Sequence, residues 1–196
     1  MLLLLGLGNP GEEYQSTPHN VGFEALDYFY QQNQENCTPW KLDKKSKTLV
    51  ARCKGVNKVN KAIELILAKP QTFMNLSGNS VKLLTTNYQL PTEKIVILHD
   101  DIDLPQGTVR IRKNGSSAGH KGVQNIIDAL GTQEFGRIRI GIRPNENDKV
   151  TNVEKFVLKK FGKEKQKIFQ QVYQKVHESI LEIVEKGIEE KTVTLS

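Results

Sequence analysis

The sequence predicts an α/β fold: a single domain with a twisted, mixed β-sheet flanked by helices. Three observations carry that expectation. Residues 2–5 and 95–98 are apolar runs too short for helices, the pattern of strands buried on both faces. Residues 108–112 and 137–143 alternate apolar and charged side chains, as half-exposed strands do. Between these runs lie stretches whose apolar residues recur at helical spacing. At 196 residues the chain is long enough for one well-buried core, and no internal repeat or linker divides it.

Taken in order, residues 1–7 read as a central strand that breaks into Gly6-Leu7-Gly8-Asn9-Pro10-Gly11. A loop over 8–18 carries Asn9, Tyr14 and Thr17, and a helix over 19–34 turns Val21, Ala25, Leu26, Phe29 and Tyr30 inward. Residues 35–47 are a polar connector; 48–53 and 64–69 are strands joined by the polar stretch 54–62. Pro70 stops the second strand, and a helix over 73–88 places Leu76, Val81, Leu84 and Tyr88 on one side. The strand 95–98 ends in His99-Asp100-Asp101-Ile102-Asp103. After strand 108–112, a loop over 114–122 leads into a helix over 123–130. Strand 137–143 ends at Pro144, and 145–151 is loop. A long amphipathic helix over 163–187 presents Ile168, Val172, Val176, Ile180 and Ile183 as its apolar stripe.

With 26% charged and 37% hydrophobic residues the chain is globular rather than disordered. A net charge of +6 favours an anionic partner such as nucleic acid, or is simply a solubility feature. Cys37 and Cys53 are too few for a disulfide scaffold or a zinc site, which fits a reducing cytosol. The apolar start is too short for a signal peptide and lacks a basic opening. No stretch approaches the roughly 18 apolar residues that span a bilayer. The expectation is a cytoplasmic protein with no membrane partner.

Gly6-x-Gly8-x-x-Gly11 has the spacing of a dinucleotide fingerprint. That reading requires a helix opening at the third glycine. Pro10, the Glu12-Glu13 pair and Pro18 oppose it, because they put negative charge and helix breaks where phosphate would sit. His19 stands at the expected helix start, where the dipole would keep an imidazole neutral and able to accept a proton; a capping or surface histidine is the plainer alternative. Asp100, just past a strand's carboxyl end, is placed to orient such a base, or is a turn-forming aspartate. Asp100, Asp101 and Asp103 raise a metal reading, but no second cluster supplies further ligands. His99 reads as a packed strand-end residue. Asn9 and Asn75 offer amides to a ligand carbonyl, or are turn and cap residues. Arg110 with Arg112, and Arg137 with Arg139, share strand faces by the two-residue period; Lys113, Lys121 and Arg143 extend the surface. Such pairs suit phosphate, or a solvated sheet face.

Six blocks in register resemble the bacterial peptidyl-tRNA hydrolase family: Gly6 to Gly11; Tyr14 with Thr17 to Gly22; Lys69 to Gly78; His99 to Pro105; Gly115 to Gly122; and Arg137 to Pro144. Together they span about residues 1–160. The resemblance implies a phosphorylase/hydrolase-like fold and an esterase that frees tRNA from peptide when translation is abandoned. It implies His19 as general base and Asp100 as its orienting partner. Asn9, Asn75 and Met74 match substrate contacts, Tyr14 the tRNA end of the site, and Arg110, Arg112 and Arg139 the tRNA phosphate contacts. The expected enzyme is a monomer needing no cofactor and no metal, with peptidyl-tRNA as its partner. Pro18 stands where the family often has Arg. Lys121 stands where many members have Asn, and its substrate contact then goes to phosphate or a peptide carbonyl. A stretch over 145–152 is a candidate lid. The alternative is a catalytically inactive RNA-binding relative, of the kind seen in chloroplast splicing factors.

Overall fold

A computed structural model describes residues 1–54, 63–144 and 150–195. The expected connector 54–62 and lid 145–152 fall largely outside the described residues.

Eight strands form one mixed sheet: β1 (Leu2–Gly6), β2 (Lys41–Asp43), β3 (Thr48–Lys54), β4 (Glu64–Pro70), β5 (Ile95–Pro105), β6 (Thr108–Arg112), β7 (Gly136–Arg143) and β8 (Lys191–Thr194). Their order is β2-β3-β4-β1-β5-β7-β6-β8. β1 runs parallel to β4 and β5, and β5 parallel to β7, so the sheet centre is parallel and both flanks are antiparallel. Leu3, Leu4 and Leu5 are fully buried. Each contributes about 2 kcal/mol of transfer free energy. Alternation divides the run: Leu2 and Leu4 face one core, Leu3 and Leu5 the other.

The helices cover these two faces. α1 (Val21–Gln32) and α5 (Lys163–Lys186) pack on the first; α2 (Ser77–Tyr88) and α3 (Lys121–Leu130) on the second; α4 (Val153–Val157) is a single short turn pair. Val21, Ala25, Leu26 and Phe29 are buried as their spacing predicts, with Tyr30 partly so. Two expected inward residues point out. Leu76 is 46% exposed because it ends a 3-10 turn before α2 begins, and Ile168 is exposed while its neighbour Phe169 takes the core position. No helix among the described residues is long and apolar enough to cross a membrane.

Strand β5 differs most from expectation. It continues eleven residues, through the acidic run, instead of stopping at Leu98. Parallel pairing to β7 carries it on, with Asp100 opposite Ile140 and Asp101 opposite Gly141. β2 lies where a polar connector was expected, and α4 and β8 lie in stretches to which the sequence reading assigned no element. Cys37 and Cys53, set aside in the sequence reading as too few for a disulfide scaffold, form one disulfide. A backbone bridge already sets the two residues opposite each other.

Gly22 brings α1 onto the strand ends. A Cβ there would strike the carbonyl oxygens of Leu7 and Leu98, so only glycine permits this approach. The Phe23 amide donates to Leu7 O at 3.1 Å and the Leu7 amide to Leu98 O at 2.9 Å. The close approach delivers the residues just before α1 to the middle of β5, where Asp100 lies.

Candidate active site

A cleft of about 680 Å³ opens at these strand ends; Asn9, Tyr14, His19, Met74, Asp100 and His120 are among the residues that line it. His19 sits in a 3-10 turn, Pro18–Asn20, ahead of α1 rather than in its first turn. Its Nδ1 donates to the Asp100 carboxylate, at 2.9 Å to Oδ2 and 3.0 Å to Oδ1. On the other side His120 Nε2 donates to Asp100 Oδ1 at 2.8 Å. His120 Nδ1 in turn accepts from the amides of Gly122 and Val123, at 3.1 and 3.2 Å, and so caps α3.

These contacts fix both tautomers. A ring nitrogen accepting from two amides carries no proton, so the His120 proton is on Nε2, facing Asp100. An ionised carboxylate only accepts, so His19 also keeps its proton on Nδ1 and leaves the Nε2 lone pair for the cleft. Burial pushes the His19 pKa down, but the Asp100 charge and hydrogen bond prevail and raise it above the ordinary value; Lys121 opposes them. This corrects the expectation of a dipole-held neutral ring: the adjacent carboxylate outweighs a helix terminus that begins after His19. Burial also works to raise the Asp100 pKa, but the two histidines hold its carboxyl well below the usual range.

His99 behaves as the packed residue expected. Its Nδ1 donates to the Asp100 carbonyl at 2.7 Å, and burial, with His120 alongside, pushes its pKa down to about 3. The ligand atoms of His19, Asp100 and His120 lie within 4.8 Å of one another. A cation there would need the His120 Nε2 lone pair, forcing the proton to Nδ1 against two amide donors, so this donor set does not fit a metal. Asp100, Asp101 and Asp103 do not converge either, since Asp101 turns to Arg139 and Asp103 is exposed.

The asparagines are set by the loop that follows β1. Asn9 Oδ1 accepts from the Met74 amide at 2.8 Å, which leaves its NH2 group as the donor available to a ligand. Asn20 holds Asn9 from behind, accepting from its amide at 2.8 Å and donating to its carbonyl at 3.0 Å. Asn75 is exposed beside buried Met74 and lines the same cleft. Tyr14 is half-buried on the loop side, and Lys121 pairs with Glu154 at the mouth.

A model of the peptidyl-tRNA hydrolase family matches residues 3–196. The chain belongs to that family. A peptidyl-tRNA hydrolase of Persephonella marina is 40% identical over 188 residues, covering 95% of this chain and 93% of its own. One from Thermodesulfovibrio yellowstonii is 38% identical over 200 residues, covering 97% and 96%. The crystal structure of the Acinetobacter baumannii peptidyl-tRNA hydrolase superposes with a TM-score of 0.83 at 30% identity, over 94% of this chain and 89% of that one.

For a member of the peptidyl-tRNA hydrolase family the arginines need sorting. Arg110, Arg112, Arg137 and Arg139 share one sheet face, paired across β6 and β7 as 110 with 139 and 112 with 137. Arg137 is 2% exposed, so it is not open to phosphate. Its guanidinium lies over the Phe135 ring and donates to Ser116 O and Gln133 O, anchoring the loop that ends at His120. Arg139 is ion-paired with Asp101, Arg110 donates to Thr192 Oγ1 at 3.1 Å, and Arg112 donates to the Ile111 carbonyl. All three remain partly exposed. His120 and Asn20 were not singled out in the sequence as site residues, and Asp101 only as one of three possible metal ligands. For His120 a signal existed: a polar side chain directly ahead of a helical period is a cap candidate.

Proposed function

We propose that this chain hydrolyses the ester between peptide and tRNA with a water molecule activated by His19 Nε2. The family is one of enzymes, and the activity follows from it. The roles of individual residues are inferred from the geometry. The observation that carries them is the single carboxylate of Asp100 shared by His19 and His120, which leaves one unprotonated imidazole nitrogen facing the cleft.

The proposed steps balance simply. His19 Nε2 takes a proton from water while the water oxygen bonds to the ester carbonyl carbon. Asp100 supports the imidazolium that forms. The NH2 groups of Asn9 and Asn75 are the donors placed for the developing oxyanion. Collapse expels the 3′ ribose oxygen, which recovers the proton from His19, leaving free tRNA and a peptide carboxylic acid that gives its remaining proton to bulk water. An ester needs less leaving-group assistance than an amide, so positioning and one base suffice without metal or organic cofactor. Met74 and Tyr14 shape the cleft, and Lys121 offers an ammonium to phosphate or peptide carbonyl at its mouth. Arg110, Arg112 and Arg139 supply phosphate contacts that position tRNA without reading bases. The enzyme is proposed to act as a monomer in the cytoplasm.

The inactive RNA-binding alternative is set aside, since the relatives are hydrolases and the histidine–carboxylate pair is intact. The test is release of tRNA from N-acylated aminoacyl-tRNA, with and without EDTA. His19→Ala should abolish most turnover while the fold persists, and EDTA should leave wild-type turnover unchanged. A folded His19→Ala variant with near wild-type turnover would remove His19 as the base.

A further inference from the structure

We propose that Glu24 is a positioning residue for the hydrolysis, its carboxylate tying α5 to the loop that delivers His19. The inference rests on the reading of His19 as the base.

Glu24 lies in the first turn of α1, half-buried between two partners far apart in sequence. Its Oε1 accepts from the Ser16 amide at 2.7 Å. Its Oε2 accepts from the Tyr173 hydroxyl, on α5, also at 2.7 Å. Ser16 has φ 58°, the left-handed region that a residue with a side chain occupies only when its surroundings impose it. Both its backbone groups are held: the amide by Glu24 and the carbonyl by the Phe161 amide, at 2.7 Å. Phe161 stacks on Phe169 at 4.4 Å between centroids, so the segment leading into α5 grips the same turn.

From Ser16 the chain has three residues to reach His19. Thr17 is fully buried, its hydroxyl donates to Tyr14 O at 2.7 Å, and Pro18 restricts the next step. Little slack is left to absorb a shift at Ser16. A displaced turn would carry the His19 ring away from Asp100 and disturb Tyr14, while the arginines on β6 and β7 stay in place. The site therefore depends on a carboxylate that never touches substrate.

The experiment compares Glu24→Ala with Glu24→Gln. Glutamine retains an oxygen for the Ser16 amide and an NH2 donor for the Tyr173 oxygen. In folded Glu24→Ala, kcat on N-acylated aminoacyl-tRNA should fall about tenfold with KM within about twofold. The His19 ring, followed by NMR, should titrate lower than in wild type; Glu24→Gln should resemble wild type on all three measures. Wild-type kcat and His19 titration in Glu24→Ala would overturn the inference, as would Glu24→Gln falling equally far. If Glu24→Ala does not fold, Tyr173→Phe takes its place, with a smaller kcat loss and the same direction of His19 shift expected; wild-type values on both would overturn the inference. An inactive His19→Ala beside a normal Glu24→Ala defeats only this inference, whereas an active His19→Ala defeats the reading beneath it.

Discussion

Lys121 Nζ lies 3.2 Å from Glu154 Oε1, so the start of α3 is tied to α4 across the mouth of the cleft. Both side chains are largely exposed, at 66% and 76%. Such a pair contributes about 0.5 kcal/mol and weakens with salt. Glu154 also competes for the cation that a polyanionic substrate would meet there. Glu154→Gln should lower KM for peptidyl-tRNA about two- to threefold at low ionic strength, the difference vanishing near 0.5 M salt. A KM series over potassium chloride concentration measures this, and equal KM at low salt would separate Lys121 from substrate binding.

The pH profile follows from His19. A base works unprotonated, and its pKa is raised above 6.5 by Asp100. Activity is therefore lost on acidification at a higher pH than an unperturbed histidine would give. Asp100→Asn removes the raising influence but leaves burial, so the acid limb should move down while kcat drops about a hundredfold or more. An acid limb that stays fixed in Asp100→Asn would show that another group controls it.

His120 performs two tasks that one variant can separate. His120→Ala removes the acceptor for two α3 amides, a loss of about 1 kcal/mol that lowers Tm by about 3 °C. It also removes the second donor to Asp100, so kcat should fall about tenfold. His120→Asn can restore the cap through its side-chain oxygen without rebuilding the donor. Recovered Tm with kcat still depressed is the expected pattern; recovery of both would make His120 a cap alone.

For the proposed tRNA surface, Arg110→Ala with Arg112→Ala is the cleaner probe. Loss of two phosphate contacts should raise KM, leave kcat intact and reduce the slope of log KM against log salt by about 2. Arg139→Ala strands the Asp101 carboxylate, which is 6% exposed, and should cost stability as well. That loss is about 3 kcal/mol, so unfolding curves should accompany its kinetics.

Much of the fold was legible because its centre is written in short apolar runs. Leu2 to Leu5 and Ile95 to Leu98 have few alternatives to buried strands. Where pairing rather than composition makes the strand, the sequence is silent. Lys41-Leu42-Asp43 is a strand because β3 lies beside it, and the acidic half of β5 is a strand because β7 continues alongside. Alternation showed that Arg137 and Arg139 share a face but not that Phe135 and two loop carbonyls bury one of them. His19 and Asp100, 81 positions apart, are paired on their places at a helix start and a strand end, with plainer alternatives left open until the family resemblance is added. The tautomer each histidine holds required their partners in three dimensions.

Neighbours on β5 face opposite ways, so Asp100 meets His19 and His120 while Asp101 holds Arg139 on the opposite face. One strand thus sets the proposed base and a proposed tRNA-facing arginine by a single register. An insertion or deletion of one residue between Ile95 and Asp100 would exchange the two acids and disable both at once. A change of side chain in this segment leaves that register standing, whereas a change of residue count does not. The spacing from Ile95 to Asp100 and Asp101 works as a ruler that two opposite faces of the sheet read together.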